Sequence, residues 1–143
     1  MADVYLSPSP AHFNVGYGNY GTEERRMNLI ADVVEYELTR HGVTTVRNDP
    51  DMSLTEVVAD ANAQNTKIYV AIQSQAADTL TRGAQIYYYK PGGNGERLAS
   101  DIFTFLSEIV PTQDIGLSEG AAVYGGLGFY ELRRTKMPAV IVM

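Results

Sequence analysis

Strand-like and helix-like stretches alternate along this chain from beginning to end, and that alternation restricts the fold more than any other feature of the sequence. Val4 to Leu6 is a short β-branched and aromatic run, closed by Ser7-Pro8-Ser9-Pro10. From Glu23 the apolar period changes. Met27, Ile30, Ala31, Val34 and Leu38 recur at three- and four-residue spacing, Glu23 and Glu24 suit the positive end of a helix dipole, and Gly42 follows as a stop. The spacing predicts a helix over 23–41. Val43 to Val46 reads as a second strand, ended by Asn48-Asp49-Pro50. Ser53-Leu54-Thr55-Glu56 then has the form of a capping box, opening a second helix that closes near Asn65. Ile68 to Ile72 is an unbroken apolar strand of the buried type, and Ala84 to Tyr89 is another, set between Gly83 and the Pro91-Gly92-Gly93 turn. Leu98, Ile102, Phe105, Leu106 and Ile109 define a third helix, stopped by Pro111. A glycine-rich loop from Gly120 to Gly128 follows, and Ala139 to Met143 is the last apolar strand.

This order predicts an α/β fold: one domain over 1–143, with a mostly parallel twisted sheet of five to six strands and helices on both faces. A chain of 143 residues with 45% hydrophobic and 20% charged side chains is large enough to close around one core. In such sheets ligands bind beyond the carboxyl ends of the strands, so the loops after Leu6, after Ile72 and after the final strand are the places to look. The sequence has no cysteine, so any metal must be held by histidine, carboxylate or water. A formal net charge of −6 argues against a nucleic-acid backbone as partner, since binding one requires clustered positive charge. Neither a basic-then-apolar leader nor a membrane-length apolar run is present, so the chain is expected to be cytoplasmic at synthesis; its final location is left open, with action at a cell wall after release one of the options.

Several constellations are chemically suggestive. Gly16-Tyr17-Gly18-Asn19-Tyr20-Gly21 spells G-x-G-x-x-G, the phosphate turn of dinucleotide-binding folds, but residues 7 to 15 intervene between strand and glycine. That turn needs its first glycine directly off the strand, so glycines that let a long loop turn back are the better reading. His12 lies in the loop after the first strand, and Glu24 in the first turn of the first helix, where the two are candidates to share a metal. Gln73 follows the third strand, although an amide is a poor zinc ligand beside imidazole. Tyr17, Tyr20, Tyr124 and Tyr130 fall in or beside the long loops, where rings can stack on sugars. Tyr87, Tyr88 and Tyr89 must alternate between the two sheet faces and read as packing. Arg133-Arg134-Thr135-Lys136 reads as a solvated basic loop able to hold a substrate carboxylate.

Taken together, VYLSPS at 4–9, GNYGTEERRMNLIAD at 18–32, HGVTTVRNDPDMSLTEVVADAN at 41–62, IYVAIQSQA at 68–76, RGAQIYYY at 82–89 and LRRTKMPAVIV at 132–142 resemble the zinc-dependent N-acetylmuramoyl-L-alanine amidases. These cut the bond between muramic acid and the first alanine of the peptidoglycan stem peptide. The resemblance implies one zinc held by two histidines and a glutamate, with a second glutamate at the end of the last strand activating the metal-bound water. Glu24 stands where the family has its glutamate ligand, and His12 is the candidate for the first histidine, though its spacing departs from the usual Asp-Pro-Gly-His. The second histidine of a Ser-Ile-His pattern is replaced by Gln73 in Ala71-Ile72-Gln73, and Met143 occupies the place of the catalytic glutamate. Asn19, Tyr20 and Arg133 are the substrate-binding candidates. The family's terminal helix does not follow the last strand in this sequence, so sheet surface is expected to be covered by a partner subunit, as in a homo-oligomer, by an absent segment or by an altered packing.

Three readings follow. The first is a degenerate amidase domain that binds peptidoglycan, a muropeptide or a partner in the old groove without turnover. The second is an active amidase with a changed ligand set such as His12, Glu24 and Asp78, with zinc as its cofactor. The third is a self-assembly module.

Overall fold

A computed structural model describes residues 2–8, 23–73, 85–109, 116–122 and 128–143. In chain order it contains β1 (Val4–Pro8), α1 (Glu23–Arg40), β2 (Thr45–Arg47), α2 (Leu54–Gln64), β3 (Ile68–Ile72), β4 (Gln85–Tyr88), α3 (Asn94–Ile109), β5 (Gly116–Glu119), α4 (Tyr130–Arg134) and β6 (Ala139–Val142). The strands form one six-stranded sheet in the order β2-β1-β3-β6-β4-β5. Every neighbouring pair is parallel except β4 with β6, which run antiparallel. The chain is therefore an α/β domain with a mostly parallel sheet, as its alternating pattern predicts.

Helices cover both faces. Met27 and Ala31 of α1 pack with Ile72 and Val70, while Ala99, Leu98 and Ile102 of α3 pack with Ile86, Val140 and Val70. Val70 touches both groups, so α1 and α3 share a face. On the other face Val57 and Ala61 of α2 and Leu132 of α4 close over Tyr5, Tyr69, Ala71 and Ile141. Tyr87 and Tyr89 pack on this second side and Tyr88 on the first, the alternation that a strand imposes. Helix α2 begins where its sequence says: the Ser53 hydroxyl accepts from the Glu56 amide, and the Glu56 carboxylate accepts from the Ser53 amide. It ends on Asn65 in the left-handed conformation.

Two elements correct the sequence reading. β5 falls where the sequence predicts no element, because GLSE carries only one large apolar residue. Its strand conformation comes from pairing along β4. The basic stretch read as a solvated loop is the end of α4, with Arg133 and Arg134 exposed in its last turn. Ala139, Val140 and Ile141 are buried and Val142 is half-buried. Exposed large apolar side chains among the described residues gather on α1, at Leu29, Ile30, Val33 and Tyr36, with Leu54 of α2, Phe105 of α3 and Leu117 of β5 elsewhere.

Candidate functional site

The parallel strands β1, β2, β3 and β6 present their carboxyl ends along one rim of the sheet. Because β4 runs the other way, its first residue joins the same rim: Gln85 and Met143 exchange backbone hydrogen bonds at 2.8 and 3.1 Å. Gln73 is tied in beside them through its amide, which donates to the Val142 carbonyl at 2.9 Å. Gln73, Met143 and Gln85 therefore sit together at the end of the sheet where α/β folds hold their ligands.

Beneath Gln73 lies a buried polar network on the α2–α4 face. Tyr5 and Tyr69 occupy paired positions on β1 and β3, and their rings stack with centroids 5.7 Å apart. Both are fully buried, so each phenol needs an acceptor. Tyr5 donates to Asp60 of α2 at 2.6 Å, and Tyr69 donates to Glu131 of α4 at 2.6 Å. The second oxygen of Glu131 accepts from the Gln73 side-chain amide at 2.7 Å. Glu131 is only 3% exposed. Burial pushes its carboxyl up from the ordinary range, while the hydrogen bonds from Tyr69 and Gln73 pull it back down. Burial likewise raises the Tyr69 phenol well above its usual value, with Glu131 adding to the shift, and the Tyr5 phenol is raised by burial and by Asp60.

Glu131 and Tyr69 are the site residues that the sequence reading missed. The available signal was a single acid inside Phe129-Tyr130-Glu131-Leu132, an otherwise apolar run, together with aromatic residues in two otherwise aliphatic strands. Of the candidates named from sequence, Gln73 lies at the rim, directly after β3. The Met143 side chain packs against the α2–α4 core cluster. Arg133 is exposed, with its guanidinium 6.0 Å from the centre of the Tyr130 ring. Glu24 is placed in the first turn of α1, but its side chain, with His12, Asn19, Tyr20, Asp78, Tyr17, Tyr124 and the Gly16–Gly21 motif, lies outside the described residues.

The described part of the rim does not fit a zinc site of the implied kind. At the end of β3 stands a neutral amide, a poor zinc ligand beside imidazole, and both oxygens of Glu131 already accept hydrogen bonds. At the end of β6 stands a thioether, and among the described residues no three His, Cys, Asp or Glu gather as a ligand set.

This architecture is the catalytic-domain fold of N-acetylmuramoyl-L-alanine amidases. The catalytic domain of CwlV, such an amidase from Bacillus (Paenibacillus) polymyxa var. colistinus, superposes with a TM-score of 0.82 at 20% identity, over 99% of this chain and 79% of that one. Cwp6 from Clostridium difficile superposes with a TM-score of 0.85 at 23% identity, over 99% of this chain and 24% of that one. The Amidase_3 family profile, N-acetylmuramoyl-L-alanine amidase, matches residues 9–143, and the chain belongs to that family. The Bacillus subtilis (strain 168) protein YqiI is 28% identical over 144 residues, covering 96% of this chain. The chain spans 66% of the length of that relative.

Proposed function

We propose that this domain keeps the amidase fold as a recognition module for peptidoglycan-derived glycopeptides and has given up hydrolysis. The observation that carries this reading is the Gln73–Glu131 hydrogen bond. The amide at the position of a zinc-binding histidine has its nitrogen turned inward onto a buried acid, which holds the side chain in place without the imidazole nitrogen that zinc requires. Met143 at the position of the general base supports the same conclusion, since a thioether takes up no proton from water. Loss of a general base alone lowers a rate by about a hundred- to ten-thousandfold. What remains for the chain's own residues is binding: a rim lined by amides, with Asn19, Tyr20 and Arg133 as the candidate contacts to sugar and peptide carboxylate. Oligomerisation through exposed apolar surface is a separate property, read from solution mass.

The test is zinc content by elemental analysis after dialysis against trace zinc, run with a muropeptide hydrolysis assay on the parent, His12→Ala and Glu24→Ala proteins. The expected result is sub-stoichiometric zinc in all three and no released peptide. Stoichiometric zinc that both substitutions abolish, with cleavage by the parent, would establish a working hydrolase and overturn the proposal.

A further inference from the structure

We infer that Gln73 is a ligand-binding residue whose carbonyl oxygen accepts a hydrogen bond from a peptide N–H, and that Glu131 is the positioning residue that aims it. This inference rests on the glycopeptide-binding reading above and sharpens it by naming the group recognised.

A glutamine amide has two chemically opposite ends, a donating nitrogen and an accepting oxygen, and its two orientations differ by a half-turn about the last bond. Glu131 decides between them. Its carboxylate receives two donors, the Tyr69 phenol on one oxygen and the Gln73 nitrogen on the other. Turning the Gln73 amide over would bring its oxygen against the carboxylate, two acceptors in contact inside a buried site, and would leave the buried carboxylate short of a donor. The nitrogen is therefore held inward. The amide oxygen is the end left over, no described residue donates to it, and Gln73 itself is half-buried at the rim. Its backbone is fixed independently by the hydrogen bond to Val142.

The chemistry of that oxygen differs in sign from that of a metal. A Lewis-acidic cation at the rim attracts the carbonyl oxygen of an amide, whereas a carbonyl oxygen there repels it and attracts the N–H. A glycopeptide offers both groups in each of its peptide bonds. Replacing the imidazole by a fixed amide thus converts a position that handles the reactive carbonyl into one that reads the unreactive N–H. This gives binding without strain on the bond.

The experiment compares two ligands by calorimetric titration into the full chain: N-acetylmuramoyl-L-alanyl-D-isoglutamine, and its ester analogue in which lactate replaces alanine and the N–H becomes an oxygen. A neutral hydrogen bond is worth about a three- to tenfold difference in Kd. The parent should bind the amide ligand more tightly by that factor, and Gln73→Leu should bind the two ligands equally. Glu131→Gln should retain the discrimination, because its own amide oxygen can still accept from Gln73, while Glu131→Leu should lose it. If Glu131→Leu does not fold, Gln73→Leu, which truncates a half-buried rim residue, still decides the matter. Equal binding of both ligands by the parent overturns this inference and leaves glycopeptide recognition standing. No binding of either ligand overturns both.

Discussion

At the scale of single residues, Glu131 controls the most chemistry. A buried carboxyl whose folded-state pKa is raised holds a proton that the unfolded chain has already released, so between the unfolded value near 4.5 and the higher folded value stability falls as pH rises. The opposite limb, where acid destabilises, belongs to groups with lowered pKa. Glu131→Gln has no such proton to release, and its thermal midpoint should decline less from pH 4.5 toward neutrality than that of the parent, measured by calorimetry across that range. A variant profile that parallels the parent would mean that Glu131 does not titrate in this window. Glu131→Leu should cost roughly 1–3 kcal/mol for each donor it strands, Tyr69 and Gln73, read from chemical denaturation. None of this was legible beforehand. Sequence periodicity locates apolar faces, whereas the value of a lone acid depends on which phenol and which amide the fold brings to it from 62 and 58 residues away. Gln73 was legible from its place after the third strand, and Met143 only as a departure from a family pattern.

At the scale of elements, legibility followed the strength of local instruction. Helices α1, α2 and α3 announced themselves by three- and four-residue spacing, and α2 also by its capping box, because helical hydrogen bonds and caps close within a few residues of sequence. β5 and α4 did not. GLSE is a strand because β4 lies beside it, and the five residues of α4 are too few to show a period. Gly120, directly after β5, is closely packed all the same. A Cβ at Gly120 would meet the Leu132 methyl at 2.6 Å, the Tyr88 carbonyl oxygen at 2.9 Å and the Phe129 ring at 3.2 Å. The Leu132 methyl can move, but the Tyr88 oxygen is backbone. Gly120→Ala should therefore destabilise by about 1–3 kcal/mol in urea unfolding, by overpacking. An unchanged midpoint would show that α4 rides away from the sheet at little cost. Asn62 secures the other end of α4, donating to the Arg134 carbonyl and accepting from the Lys136 amide, both at 2.9 Å.

At the scale of the whole molecule, the parallel sheet with helices on both faces was legible, while the reversal of β4 was not, since strand direction leaves no mark on apolar pattern. The edge opposite the rim is fastened electrostatically. Asp3 meets the Lys67 ammonium at 2.9 Å and accepts from Thr44, which joins the starts of β1, β2 and β3. These contacts, the Lys67 hydrogen bond first, lower its pKa to about 2. Its contribution is present above the unfolded value of 3.8 and is lost as pH falls toward about 2. The thermal midpoint of the parent should drop over that interval, and Asp3→Asn should drop less. Equal acid sensitivity in the two proteins would move the cause elsewhere.

The strand order carries one more consequence, for synthesis. β6, the last strand in chain order, lies third from one edge and joins β3 to β4. Until residues 139–142 are available, the growing chain can assemble only two separate partial sheets, β2-β1-β3 and β4-β5. Each then has an open inward edge of unpaired amides and carbonyls. Insertion of β6 seals both at once. The six-stranded sheet therefore cannot close until β6 has been made, and until then the nascent chain carries two open strand edges.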